Sequence, residues 1–242
     1  MEIEISELSF AFALLDELAR RLEGRADVAA LGSGVFDWPR LEGTGVRPGI
    51  SVFLHFKRPD YMVKSTAAEW PLHERPYFRM TIPRRSRSNI HRILRSLSDL
   101  EPSTYYVMPL FHTQQELDRL HLLENIIGST AFIPIHLLAA LDDGEHRITG
   151  PSASDLLLDG EPLMDVHTGD TLTDRLVEDL SDDQRVSLIN REYLQRIYRT
   201  LSATIFPGST ADAPADTAST ARAISRLMRI YLGGEAVLLM RR

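Results

Sequence analysis

The sequence contains no cysteine. This absence excludes disulfides, thiolate zinc sites, iron–sulfur clusters and cysteine nucleophiles. The sequence also lacks an apolar run near the roughly 20 residues that a membrane-spanning helix needs. Its acidic start, MEIEISEL, does not have the composition of a signal peptide. We therefore expect a cytoplasmic protein.

Three signatures of common enzyme classes are also missing. The sequence has no phosphate-binding P-loop motif, no GxSxG nucleophile turn and no HExxH zinc motif. His112 and Glu116 are four residues apart, but His112 lies before the predicted start of its helix. We therefore do not expect a zinc protease.

Charge is distributed unevenly along a chain whose net charge is −7. Residues 57–95 contain ten Lys or Arg and three Asp or Glu, whereas residues 142–183 contain thirteen Asp or Glu and two Arg. A local positive field attracts phosphate whatever the total charge. The basic segment therefore predicts a nucleic-acid contact, and the alternative is a solvated helix face with internal ion pairs. Glu69 is expected to form a salt bridge with Arg75 or Arg79.

The N-terminal half begins with a predicted helix in the stretch ISELSFAFALLDELARRLEG, with Ser6 as its cap. The residues expected on its buried face have helical spacing: Leu8, Phe12, Leu15, Leu18 and Leu22. Residues 50–57 alternate in polarity, which predicts a strand. One face of that strand is expected to carry Ser51, Phe53, His55 and Lys57.

Further along the chain, strands are predicted at residues 77–82 and 104–111, and an amphipathic helix at residues 86–100. Thr113 and Glu116 predict a capping box at the start of the next helix.

Beyond Gly150 the sequence pattern is mostly helical. Three helices are predicted there, at residues 173–180, 183–202 and 221–232. Residues 207–220 are small and polar, which predicts a flexible linker. The sequence thus predicts an α/β (α+β) core over residues 1–150 and a mostly helical region over residues 151–242.

In the N-terminal half a helix bearing Glu7 and Glu17 is followed by a turn-rich region and then by a strand that ends at Lys57. In this order of elements the chain resembles the PD-(D/E)xK nuclease-like superfamily. The motifs HFKRPDY, STAAEW and RPYFRM are similar to a group of bacterial proteins with a QFK strand, an S-x-A-x-E-W stretch and the motif PYYRF. The resemblance covers roughly residues 6–125 and implies a restriction-endonuclease-like mixed sheet flanked by helices.

The resemblance also implies an active site. In that family an Asp on one strand, and a Glu or Gln two residues before a Lys on the next, hold a divalent metal ion and the attacking water. Carried over to this chain, Lys57 and His55 are the expected catalytic pair. Glu17, Asp37 and Glu42 are the expected ligands of Mg²⁺.

Two positions depart from the family pattern. His55 occupies the place of the Glu or Gln, and Arg47 stands where the pattern has an Asp. Because histidine lowers the local negative charge that attracts a hard cation such as Mg²⁺, the metal site is altered in this chain.

The stretch PRRSRSNIHRILR has the composition of a phosphate contact. Arg84, Arg85 and Arg87 surround the predicted helix start, where backbone N–H groups bind phosphate. We expect these residues and Arg58 to contact nucleic acid. The alternative is an arginine-rich helix start that binds no ligand, which would have the same composition.

Each candidate also has a structural interpretation. In that interpretation, Lys57 is a solvated residue at the end of a strand and His55 forms hydrogen bonds with nearby side chains. Glu17 is then one of several charged residues on a helix surface.

Two main hypotheses follow, and a third, a toxin or defence component that acts on RNA, is not separated from the first by the sequence. The first is a nucleic-acid-binding protein with a nuclease-like core, including metal-dependent DNA hydrolysis. The second is a catalytically inactive scaffold of the same type that binds nucleic acid or protein. An Arg47 side chain that points into the expected metal site favours the second hypothesis, because a guanidinium repels a cation.

Overall fold

The computed structural model describes residues 4–31, 47–208 and 212–242. The chain has a mixed α+β fold with two sheets and with helices in its C-terminal part, which confirms the predicted fold class at that level. The restriction-endonuclease-like topology stays a prediction. Within the described ranges, no helix is both long and apolar enough to cross a membrane.

Seven α-helices follow one another along the described chain. They are α1 (Glu7–Arg21), α2 (Trp70–His73), α3 (Ile90–Leu100), α4 (Gln114–Leu122), α5 (Gly169–Ser181), α6 (Arg191–Ile205) and α7 (Thr217–Leu227). A π-helical segment, Met228–Leu232, continues directly from α7. The capping box predicted for α4 is confirmed, since Thr113 Oγ1 accepts the Glu116 N–H and Glu116 accepts the Thr113 N–H.

The strands are mostly short. They are β1 (Asp27–Ala30), β2 (Arg47–Phe56), β3 (Asp60–Met62), β4 (Tyr77–Ile82), β5 (Thr104–Pro109), β6 (Thr130–Pro134), β7 (His146–Gly150), β8 (Leu157–Leu158), β9 (Glu161–Pro162), β10 (Ser187–Ile189) and β11 (Gly234–Met240). The strand predicted at residues 77–82 is confirmed with the same bounds.

The chain forms two compact units, each built from three separate segments. The first unit is Met1–Leu18, Phe56–Ser88 and Tyr106–Leu172, and the second is Ala19–His55, Asn89–Tyr105 and Thr173–Arg242. The sequence analysis places one boundary at residue 150, and that division into domains stays a prediction.

The first unit contains an antiparallel sheet in the order β3-β4-β7-β8-β9. Strand β4 pairs with β7 in a register that sets Phe78 opposite Gly150. Strand β6 lies next to β5 in the other sheet. The core of this unit includes Phe10, whose ring makes edge contacts with Phe56 and Phe111 at centroid distances of 5.7 Å.

The second unit has β11 at its centre. Strand β11 pairs antiparallel with β1 on one side and with β2 on the other, and Val237 lies opposite Val52. Strand β10 also pairs with β2. The Phe53 N–H donates to the Ser103 carbonyl, just before β5. All seven residues of β11 are buried, including Glu235, whose carboxylate pairs with Arg229, and the strand forms part of the core.

Helix α1 buries only part of the face predicted for it. Leu15, Leu18 and Leu22 are buried as predicted, whereas Leu8 is 74% exposed and Phe12 is 60% exposed. In the first turns of the helix the buried residues are Phe10 and Leu14 instead. The helix carries two overlapping apolar stripes with the same i, i+4 spacing. Periodicity alone therefore does not decide which stripe faces the core.

The predicted linker over residues 207–220 is wrong in its last four positions. Helix α7 begins at Thr217, because Asp216 caps it by accepting a 2.7 Å hydrogen bond from the Ser219 N–H. Because residues 207–220 are mostly small and polar, the capping signal of Asp216 does not stand out in the sequence.

The helix predicted at residues 183–202 is also shorter than expected. Residues Ser187–Ile189 form β10, and α6 begins only after Asn190, whose side chain accepts a 2.8 Å hydrogen bond from the Tyr193 N–H. Asn is one of the strongest N-caps, so it marks the boundary that the helical spacing hid.

Candidate nucleic-acid interface

Lys57 follows directly after β2, in the first unit. Its backbone N–H donates to the Val107 carbonyl over 2.9 Å, which fixes the chain at this point. The side chain is half-buried, and its ammonium lies 5.6 Å from the centroid of the Tyr106 ring, within the range of a cation–π contact. Lys57 is therefore held by its neighbours and is not a solvated strand end.

Glu7, in the first turn of α1, is the carboxylate that acts on this ammonium. Burial lowers the pKa of Lys57, and the charge of Glu7 raises it. The pKa of Glu7 is raised by burial, although the residue as a whole is exposed, and the charges of Arg58 and Lys57 lower it. The structure thus brings one carboxylate and two cations together.

Glu17, the other acidic residue of interest on α1, has a structural contact. The side chain is 1% exposed, and its Oε2 accepts a 2.7 Å hydrogen bond from the Ile126 N–H. A buried carboxylate that satisfies a buried backbone donor contributes to stability. The exposed ion considered from the sequence does not describe this arrangement, and the role of Glu17 as a metal ligand stays a prediction.

The other two expected metal ligands, Asp37 and Glu42, lie outside the described residues. Within residues 4–31, 47–208 and 212–242 there is no group of three or more His, Asp or Glu side chains placed to hold a metal ion. The one carboxylate near Lys57 does not by itself fit Mg²⁺, which takes several oxygen ligands in octahedral geometry. The Mg²⁺ cofactor stays a prediction.

His55 lies in the second unit, on β2 opposite Gly234 of β11. It is 3% exposed, and every residue of β2 from Gly49 to Phe56 is buried, whereas Arg47 and Pro48 are half-buried. The strand predicted at residues 50–57 is thus present in β2 as far as Phe56, and both of its faces are buried. At this exposure the imidazole does not reach a phosphate at the surface.

Arg84, Arg85 and Arg87 lie in an exposed turn between β4 and α3. The Arg84 carbonyl accepts hydrogen bonds from the N–H groups of Arg87, at 2.8 Å, and Ser88, at 3.1 Å. Helix α3 begins only at Ile90, so the arginines do not surround a helix start as predicted. They belong to a separate turn with its own hydrogen bonds.

Ion pairs occupy part of the basic segment. Arg85 pairs with Asp143 over 3.0 Å and Arg75 pairs with Asp155 over 3.0 Å, so the acidic stretch does face basic residues of the first unit. Arg79 lies 3.6 Å from Glu69, which confirms the salt bridge expected for that carboxylate.

Arg84 and Arg87 differ from these paired residues. Neither has a carboxylate within ion-pair distance in the part of the chain that the structure describes. Arg58 is also exposed and, through its charge, lowers the pKa of Glu7. The available positive charge of the turn is therefore concentrated on two of the three predicted arginines.

Arg47 does not point toward the end of β2 that carries His55. It is the first residue of the strand, and it pairs with Asp27 over 2.8 Å and donates to the Arg241 carbonyl. The position of Arg47 therefore does not favour the hypothesis of an inactive scaffold. Glu7 could not be identified from the sequence as the partner of Lys57, because its only signal there is its position in the first turn of α1.

No family model, no curated protein and no solved structure matches this chain. The relationship to the PD-(D/E)xK nuclease-like superfamily therefore stays a prediction that rests on the motifs quoted above.

Proposed function

We propose that this protein binds nucleic acid through the phosphate backbone, with Arg84 and Arg87 as the main contacts and Arg58 as a further one. The observation that carries the proposal is the exposed turn, in which two arginines have no carboxylate partner among the described residues. A guanidinium matches a phosphate in charge and in hydrogen-bond geometry.

The turn is also held in place, which favours binding. The Arg85 N–H donates to the Asp143 carbonyl over 3.2 Å, and the two side chains form an ion pair. Together with the two hydrogen bonds to the Arg84 carbonyl, these contacts fix the backbone from which Arg84 and Arg87 project. Less conformational entropy is then lost when a ligand binds.

The proposal concerns binding alone, and metal-dependent hydrolysis stays a prediction of the sequence. It uses the nuclease-like core as a scaffold, and it keeps the cytoplasmic location expected from the sequence. Lys57 and Glu7 remain the residues to examine first if cleavage is observed.

The test is binding of a fluorescent DNA duplex and of an RNA duplex of the same sequence, measured by anisotropy at 50 mM salt in EDTA. The double variant Arg84→Ala/Arg87→Ala is expected to bind at least about tenfold more weakly, since each lost phosphate contact costs of the order of 1 kcal/mol. Arg75→Ala removes one charge that is already paired with Asp155, so it is the matched control. Equal affinities of wild type and double variant would refute the proposal.

A further inference from the structure

A second basic cluster lies in the second unit, on α7 and the π-helical segment that continues it. Arg222, Arg226 and Arg229 are spaced i, i+4 and i+7, which places them on one side of a helix. All three are exposed. Together with Leu31, Ser225 and Ile230 they line a pocket of about 310 Å³.

Two of these arginines are held by neighbouring side chains. Arg229 Nε donates to Glu235 Oε1 over 2.5 Å, and Glu235 is 5% exposed. Arg222 donates to the Ser219 hydroxyl over 3.1 Å. Such contacts orient a guanidinium before a ligand arrives, which reduces the entropy lost on binding.

Arg226 lies between them in sequence, and it has no carboxylate within ion-pair distance in the described ranges. Glu235 pairs with Arg229, and the charge of Arg222 helps to lower the pKa of Asp216, so three guanidinium groups face two carboxylates and the pocket keeps a net positive charge. Like charges four residues apart on a helix destabilise it. An arrangement that lowers stability points to a role in binding, and π-helical segments are frequent at functional sites.

The charge and size of the pocket select a ligand. A phosphate monoester carries close to two negative charges at neutral pH, whereas each phosphodiester of a nucleic-acid backbone carries one. The volume is at the lower end of the range for small-molecule pockets. Leu31 is buried and Ile230 is 64% exposed, and these residues supply an apolar wall.

We propose that the pocket formed by Arg222, Arg226 and Arg229 binds the phosphate monoester or terminal phosphate of a small phosphorylated ligand. This site goes beyond the proposed function, because it lies in the second unit and shares no residue with the arginine turn.

The test is calorimetric titration of the full-length protein with pyrophosphate, in buffer without phosphate or sulfate. Saturable binding with a Kd of about 1 mM or below is expected. Arg226→Ala is expected to weaken binding at least about tenfold, since it removes a charge-assisted bidentate contact. Arg226→Lys is expected to restore only part of the affinity, because an ammonium does not form the bidentate pair.

Arg199→Ala, on an exposed position of α6 outside the pocket, is the matched control and should bind like the wild type. Arg222→Ala gives a second, independent loss. Absence of saturable binding up to 10-fold above the expected Kd, or equal losses in the Arg199 and Arg226 variants, would overturn the proposal.

A third arm separates the sources of phosphate. A short oligonucleotide without a terminal phosphate should not displace pyrophosphate, and displacement would overturn the preference for a monoester. The variant Arg84→Ala/Arg87→Ala should keep pyrophosphate binding. The two proposals fail separately. Unchanged nucleic-acid binding in that variant would refute the proposed function alone, and absence of pyrophosphate binding to the wild type would refute the pocket alone.

Discussion

The carboxylate of Glu17 accepts a hydrogen bond of 2.7 Å from the backbone N–H of Ile126, and Glu17 is 1% exposed. The two residues are 109 positions apart in the sequence. This contact ties α1 to the segment before β6 within the first unit. A residue that resembles a metal ligand in the sequence is thus part of the hydrogen bonding of the core.

Replacing Glu17 therefore affects stability. Glu17→Ala is expected to lower the free energy of unfolding by about 2 kcal/mol, because a buried N–H loses a charged acceptor. Urea denaturation measures this loss, and Glu23→Ala, at an exposed position after α1, is the control. A Glu17 variant as stable as the wild type would contradict the structural role.

Lys57 has an unusual environment that amine labelling can test. The chain has only two lysines, and Lys64 is exposed, so mass spectrometry can follow each of them after labelling at a series of pH values. Because burial lowers the pKa of Lys57, its labelling midpoint is expected below 10.5. Glu7→Gln removes the charge that raises this pKa, so the midpoint should fall further.

The labelling of Lys64 should not respond to Glu7→Gln, which makes it an internal control. A midpoint for Lys57 at or above 10.5, or one that is the same in both proteins, would show that Glu7 and burial do not act on this ammonium as described.

Glu101, in the second unit, makes stability depend on pH. Burial raises its pKa to about 7, and the Tyr193 hydroxyl and the charge of Arg196 lower it. The stability associated with the protonated carboxyl is fully present below the ordinary value of 4.5 and is lost as pH rises through about 7.

Between pH 4.5 and 8 the wild type is therefore expected to lose up to about 3 kcal/mol relative to Glu101→Gln, at about 1.4 kcal/mol for each unit of pKa change. Chemical denaturation across this range measures the difference. Parallel stability profiles of the two proteins would contradict the assignment.

Asp143 neutralises Arg85 next to the proposed binding turn. Asp143→Asn removes this negative charge but keeps the main-chain carbonyl that accepts the Arg85 N–H, so the turn stays in place. The variant is therefore expected to raise the affinity for a DNA duplex, by up to about fivefold at low salt, because it releases one positive charge at the surface. Asp118→Asn changes the net charge equally at an exposed position of α4 and serves as the control. An equal increase in both variants would mean that net charge, and not the turn, sets the affinity.

The sequence predicted elements whose signals are local. Strand β4 and the Thr113 capping box are confirmed because the alternation of YFRMTI and the Thr-to-Glu spacing each lie within six residues. Features that depend on distant partners were not predicted. The pairing of β11 with both β1 and β2 joins opposite ends of the chain, and no local pattern specifies it.

The residues of the candidate site divide in the same way, into those with a local sequence signal and those whose role depends on distant partners. The exposed arginines could be identified from composition, since a basic turn is a local feature. The roles of Glu7 and Glu17 could not, because two glutamates on one helix differ only in what the rest of the fold places beside them. The same holds for His55, since alternation places it on one face of a strand but does not show that the fold buries both faces of β2.

The most direct test of the proposed function is the salt dependence of DNA binding. The logarithm of the binding constant, plotted against the logarithm of salt concentration, has a slope of about −0.9 for each phosphate contact on duplex DNA. Arg84→Ala/Arg87→Ala should make this slope shallower by about 2, and Arg75→Ala should leave it unchanged. A slope that is the same in the wild type and the double variant would contradict binding of phosphate by the arginine turn.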